Sequence, residues 1–187
     1  MIRKLAVLGF SIFTSMLIYA AAPSWVVETN TSKLNFTATQ NNAPVSGEFT
    51  SFKSEIKFAP EELDSSQVHI VIATDSITTS YKTLQDTLKT ADWFNVKQFP
   101  QAEFIAQSFT KTGSNTYTAN GKLTLKGKTQ PVVLNFTLQE YSPTHAVVKG
   151  QTQINRRDFD IGQGEWASTA QIKDQVQIAF VIVADKG

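Results

Sequence analysis

The 187-residue sequence contains no cysteine, which excludes disulfide staples, thiolate metal sites, cysteine nucleophiles and a lipid-modified N-terminal cysteine. Histidine is scarce as well. His69 and His145 are the only two, and no H-x-H or H-x-x-x-H spacing joins them, so neither an imidazole metal pair nor a nucleophile–base couple is expected. No G-x-S-x-G elbow is present. An excess of either charge is missing too: 17 basic against 16 acidic side chains leave a formal charge of +1, with no basic stripe or acidic tail, so no nucleic acid or anionic membrane surface is implied as a partner. The stretch GQGEWA, Gly162 to Ala167, matches G-x-G-x-x-A with Asp185 downstream. A dinucleotide site needs a helix after those glycines, whereas Lys173 onward alternates as a strand, so the stretch reads as a glycine turn carrying Trp166 at one end of the fold. No enzyme is expected.

Long apolar runs are confined to the first residues. Arg3 and Lys4 precede an apolar stretch from Leu5 to Ile18, and Ala20-Ala21-Ala22 follows. The order is that of an export signal cleaved near Ala20–Ala22, and the stretch is shorter than the ~20 residues of a spanning helix. The expected organisation is therefore a signal peptide over 1–22 and one domain over 23–187. Export without cysteine fits a bacterial periplasm, and about 165 remaining residues suffice for a core without staples.

What the chain does contain is period two. Leu34, Phe36 and Ala38 alternate with Asn35, Thr37 and Thr39; Ile56 and Phe58 with Glu55 and Lys57; Val68, Ile70 and Ile72 share one face. The pattern resumes at Tyr117–Leu125, at Val132, Leu134, Phe136 and Leu138, and at Val176, Ile178, Phe180 and Ile182. Turn signals at Gly47, Pro60, Gly113-Ser114-Asn115, Gly127 and Ser142-Pro143 separate about eight to ten strands. One segment departs: Tyr81, Leu84 and Leu88 give a narrow helical stripe over Thr79–Leu88, with Thr78, Thr79 and Ser80 able to cap it. An all-antiparallel chain of this kind closes its edges as a sandwich or a barrel. The inward set is rich in Phe, Ile, Leu and Val, so a barrel lumen would be dry and would suit a lipid better than a sugar or an ion.

Six stretches in order carry a family resemblance: WVVETNTSKLNFTATQ, VSGEFTSFKSEIKF, TDSITT, LKTADWFNVKQFPQAEF, ANGKLTLKGKTQPVVLNF and INRRDFDIGQGEW. Together they resemble the YceI-like family of bacterial periplasmic proteins over Trp25 to Ala184. The resemblance implies an all-β fold, a lipocalin-like antiparallel eight-stranded β-barrel with one short helix near its mouth, which binds a polyisoprenoid lipid such as a quinone and catalyses nothing. It implies a set of ligand-lining residues: Leu34, Phe36, Phe49, Ile56, Phe58, Ile70, Ile72, Leu123, Leu134, Phe136, Ile178 and Phe180 on the strands, Leu84 and Leu88 on the helix, and Trp93, Phe94, Phe99, Phe104, Phe159 and Trp166 around the mouth. Two departures stand out: the helical acid is Asp86, without the arginine that often precedes it, and Asp160 stands where glycine is common. The Gly-Gln-Gly-Glu-Trp version resembles a subgroup found beside a membrane b-type cytochrome, which makes that cytochrome an expected partner and a filled-barrel adaptor the alternative to a carrier. A homodimer stays open.

Overall fold

The structure, a computed structural model, describes residues 21–187; residues 1–20, with nearly all of the expected signal segment, lie outside it. The strand segments are β1 (Ser24–Val27), β2 (Lys33–Gln40), β3 (Ala43–Phe49), β4 (Phe52–Lys57), β5 (Gln67–Ala73), β6 (Ile77–Thr79), β7 (Gln101–Lys111), β8 (Thr116–Leu125), β9 (Lys128–Tyr141), β10 (His145–Asn155) and β11 (Gln175–Lys186), with one helix, α1 (Lys82–Leu88), between β6 and β7. They make a closed antiparallel barrel of eight strands, because three of those strands are each broken once. β11 pairs with β2 through Val181 and with β1 from Ala184 onward. In the same way β3 and β4 pair with β2 and β1 on one side and with β6 and β5 on the other. From β7 to β11 each strand pairs with the next. The chain is thus an up-and-down meander whose last strand returns to its first, and among the described strands only the short β6, paired with β3 alone, keeps a free side.

Turn chemistry fixes the register at two hairpins. Lys126 and Gly127, both at positive φ (48° and 73°), form a two-residue link from β8 to β9, and Asn41-Asn42 (49° and 63°) does the same from β2 to β3. Both fit the type I′ geometry whose twist matches the strands. The second was overlooked in favour of Gly47, which is no turn: it lies inside β3 opposite Phe36, and a Cβ there would stand 2.4 Å from the Phe36 ring. Glycine is present because an aromatic ring crosses its backbone. The same device recurs at Gly150, where a Cβ would meet the Phe180 ring at 2.1 Å.

The helix is shorter than its sequence stripe. It starts at Lys82, and Tyr81 before it stays extended and 74% exposed. None of the three expected caps acts; the Thr79 hydroxyl donates instead to the Tyr81 carbonyl at 2.9 Å. Asp86 is taken by Lys82 one turn earlier (2.9 Å).

One barrel end is plugged by rings. Phe58 packs against Phe109, Tyr117 and Phe136 with centroids 5.5–5.7 Å apart, and Tyr117 stacks on Phe136. Trp25, buried in the same cluster, donates its indole N–H to the Phe58 carbonyl at 2.9 Å. Nearby on the outer surface, His145 of β10 lies opposite Asp185 of β11 with Nδ1 2.7 Å from Oδ1. Asp185, then Glu140 and Glu28, hold the imidazole above its ordinary value of 6.5. Because the folded value is the raised one, the pair stabilises the fold fully below about pH 6.5 and the contribution fades as pH climbs through the raised value. The melting temperature of Asp185→Asn should therefore fall below that of the parent at pH 5.5 and converge with it by pH 9; a gap independent of pH would contradict this.

Candidate functional site

The other barrel end is closed by two long connections that fold onto each other. The first carries α1 and residues 89–100; the second runs from Arg156 to Asp174. The backbone amides of Gly162 and Gln163 both donate to the Asp92 carbonyl (2.8 and 2.9 Å), and the rings of Trp93 and Trp166 meet at 5.9 Å. A short turn of 3-10 helix over Gly164–Trp166 replaces any helix a dinucleotide fingerprint would require.

Arg156 organises the second connection. It is 2% exposed. Its Nη1 donates to the carbonyls of Ile161 (2.8 Å) and Gly162 (3.0 Å), its Nη2 to those of Trp166 (2.9 Å) and Ile172 (3.1 Å), and its Nε to that of Lys173 (3.2 Å). Burial pushes the guanidinium below its ordinary range, with Asp174 offsetting part of that effect, and it stays a cation. Every donor is therefore spent on backbone, so this arginine builds the wall and has none left for a ligand.

Beneath this cap lies a cavity of about 720 Å³, and a second of about 180 Å³ adjoins it toward the plug. Leu34, Ile72, Leu123, Ile154 and Ile178 border both and form the neck between them. The outer chamber is walled by Phe36, Phe49, Leu84, Leu88, Trp93, Phe94 and Trp166. Exposed Pro44, Ser46, Tyr81 and Thr83 share that wall, so it reaches solvent between the β2–β3 hairpin and the start of α1. The inner chamber is walled by Ile56, Phe58, Ile70, Phe104, Leu134, Phe136 and Phe180. Its buried hydroxyl, Thr152, donates to the Val133 carbonyl at 2.8 Å. Among the described residues no carboxylate borders either chamber, and the lining is mostly apolar.

Most of the expected lining residues thus meet in one space, but two do not. Phe159 is 1% exposed within the packed cluster beneath Arg156 and borders neither chamber. Phe99 leans on the β8–β9 turn, 2.9 Å from where a Gly127 Cβ would stand. Its place in the aromatic stretch 93–104 signalled a wall, but the turn after Asn95 rotates it away. Sequence reading overlooked Ile154, Ile161, Ile172 and Arg156 on the outer wall and Trp25, Phe52 and Phe109 on the inner one. Ile154 merely continues the β10 alternation through Ala146, Val148 and Thr152, which was a readable signal. Asp160 sits at φ 55°, ψ 31°, the left-handed region that explains why glycine suits this position.

Among the described residues one group, Glu28, His145 and Asp185, brings three potential metal donors within 4.8 Å. It lies outside the barrel, and the His145 nitrogen that faces it already bonds Asp185.

A closed eight-stranded meander enclosing an apolar chamber under a helical cap defines a lipocalin-like barrel. The chain belongs to the YceI-like domain family, whose model matches residues 25–184. BcnA of Burkholderia cenocepacia is similar in structure, with 32% identity and a TM-score of 0.81 over 84% of this chain and 99% of that one. A polyisoprenoid binding domain of Saccharophagus degradans implicated in plant cell wall breakdown shares the fold at 16% identity, with a TM-score of 0.69 over 90% of this chain and all of that one (100%). A UPF0312 protein of Pseudomonas savastanoi is 25% identical over 134 residues, 68% of this chain and 70% of that protein.

Proposed function

We propose that this protein is a non-catalytic carrier that holds a polyisoprenoid lipid, of the quinone or polyprenyl type, inside its barrel in the bacterial periplasm. The observation that carries this reading is the two-chambered apolar cavity, about 720 Å³ outside the neck and about 180 Å³ inside it. The outer chamber alone falls within the ~300–1,000 Å³ typical of small-molecule sites. Each buried CH₂ contributes about 0.8 kcal/mol, so a few isoprene units bind firmly without any directional contact. A narrow second chamber behind a neck suits an extended tail better than a compact ligand. The similarity to a polyisoprenoid binding domain supports the same chemistry. An adaptor with a filled barrel is disfavoured, because that reading expects Trp93 and Trp166 exposed at the rim, whereas Trp93 is 7% exposed and both line the chamber. Exchange with a membrane b-type cytochrome is a role such a carrier would serve.

Solvent extraction of the protein purified from a periplasmic fraction, followed by mass spectrometry, should release a prenyl lipid at close to one per chain. Protein that is folded, monodisperse and repeatedly free of prenyl lipid would count against the carrier reading.

A further inference from the structure

The outer chamber opens among residues that carry no charge. Every exposed residue on its wall, Asn35, Pro44, Ser46, Ser80, Tyr81 and Thr83, belongs to the β2–β3 hairpin or to the approach to α1. Residues 34–47 form an unbroken run without Asp, Glu, Lys or Arg, and 76–81 form a second, although 18% of the chain is charged. The two runs are neighbours, because β6 pairs with β3. Lys33 and Glu48, which bracket the first run, pair with each other (3.6 Å), and Lys82, at the mouth end of the second, pairs with Asp86 (2.9 Å). Tyr81, 74% exposed, is the most exposed large apolar side chain among the described residues and stands on this rim. The plug end differs, with Glu28, Glu140 and Asp185 gathered around His145.

We propose that this rim docks the protein on a lipid bilayer, so that the mouth of the outer chamber meets the membrane and the lipid passes between them without crossing water. The proposal rests on the lipid-carrier reading and adds to it the surface from which the cargo is taken. A long prenyl chain released into water exposes every CH₂ that the barrel or the bilayer had buried, so exchange across a water-filled gap is slow. A rim free of charge enters the interfacial layer with little desolvation, whereas charged side chains resist it. Tyrosine suits that layer, with an apolar ring and a hydroxyl left for water or head groups. Lys173, exposed beside the hairpin with its amide on the Thr39 carbonyl (2.9 Å), can reach lipid phosphates. Anionic lipid is not required, in keeping with a formal charge of only +1.

Vesicles of phosphatidylcholine alone, carrying a spin-labelled phosphatidylcholine, test the contact without any mutation. The amide resonances of 41–46 and 80–83 in the parent protein should lose intensity, and those of β1 (Ser24–Val27) near the plug should not. The second measurement is the rate at which a long prenyl benzoquinone passes from unlabelled vesicles into the protein. Asn41→Asp with Asn42→Asp puts two charges on the hairpin tip, keeps side chains that tolerate the left-handed turn, and touches neither chamber. Transfer should slow about fivefold to tenfold, while affinity for a short-tailed, water-soluble prenyl benzoquinone, measured without vesicles, stays within about twofold. Intensity lost evenly or nowhere, or transfer at the parental rate in the double variant, would overturn the docking assignment and leave the carrier reading standing. Contact with vesicles of native membrane but not of lipid alone would assign the rim to a membrane protein, and the same losses on concentrating the protein without vesicles would assign it to a second copy; either result overturns the proposal. If the short-tailed quinone does not bind the parent protein, the carrier reading falls and takes the docking assignment with it.

Discussion

Arg156→Met should lower the stability of the domain by about 3–5 kcal/mol, a shift on the order of 10 °C in melting temperature for a chain of this size. The substitution keeps most of the side chain's length and apolar stem but removes the donors that gather the carbonyls of Ile161, Gly162, Trp166, Ile172 and Lys173. Those carbonyls converge from a connection with little regular structure of its own, so once the guanidinium is gone they must find water, and the connection has to open to reach it. Removing a buried cation also removes its desolvation cost, which is why the expected loss is less than a simple sum over bonds. Hydrogen exchange should rise first over 161–172, since the strands are tied by their own ladders. Arg156→Lys, with fewer donors and no fork, should recover only part of the loss. A melting temperature within about 3 °C of the parent for Arg156→Met would show that the connection is held by Phe159 and Ile161 packing instead.

The second large effect is on binding rather than stability. Ile178 borders both chambers at the neck, opposite Phe36 of β2 and Thr152 of β10. Ile178→Trp places an indole in space the protein leaves unfilled, so the cost to folding should stay near the lower end of the ~1–3 kcal/mol usual for overpacking. The same ring blocks the way from the outer chamber to the inner one. Affinity for a long prenyl lipid should fall at least about a hundredfold, because several CH₂ groups at about 0.8 kcal/mol each are turned out of the barrel. A head group with a very short tail, which needs only the outer chamber, should bind nearly as before.

Much of this site was legible because a strand's alternation assigns faces without reference to the fold. Leu34 and Phe36, Ile70 and Ile72, Leu134 and Phe136, and Ile178 and Phe180 each announce an inward face by spacing alone, and all of them border the cavity. What was not legible has a common cause. Whether Phe99 faces in or out depends on a turn at Asn95 whose left-handed φ of 48° no apolar pattern records. Gly47 looked like a turn because glycine's tolerance of turns and its tolerance of a crossing ring leave the same letter in the sequence. Tyr81 extended the helical stripe by spacing, but its backbone is still extended, with φ −123° and ψ 121°. Arg156 was visible only as part of a family stretch. Nothing local marks an arginine for burial, and its partners come from carbonyls up to 17 residues away, which only the closed connection brings together. The neck between the chambers is likewise a property of strands distant in sequence.

The central claim is that the lumen stands in for hydrocarbon, and affinity measured against tail length tests it most directly. A series of prenyl benzoquinones differing by one isoprene unit, titrated into the parent and into Ile178→Trp, should show affinity in the parent rising with each added unit until the inner chamber is full and then levelling. The substituted protein should level off earlier, at the length that reaches the neck. Affinity that does not change with tail length, or that rises identically in both proteins, would contradict the account, because the tail would then lie outside the barrel.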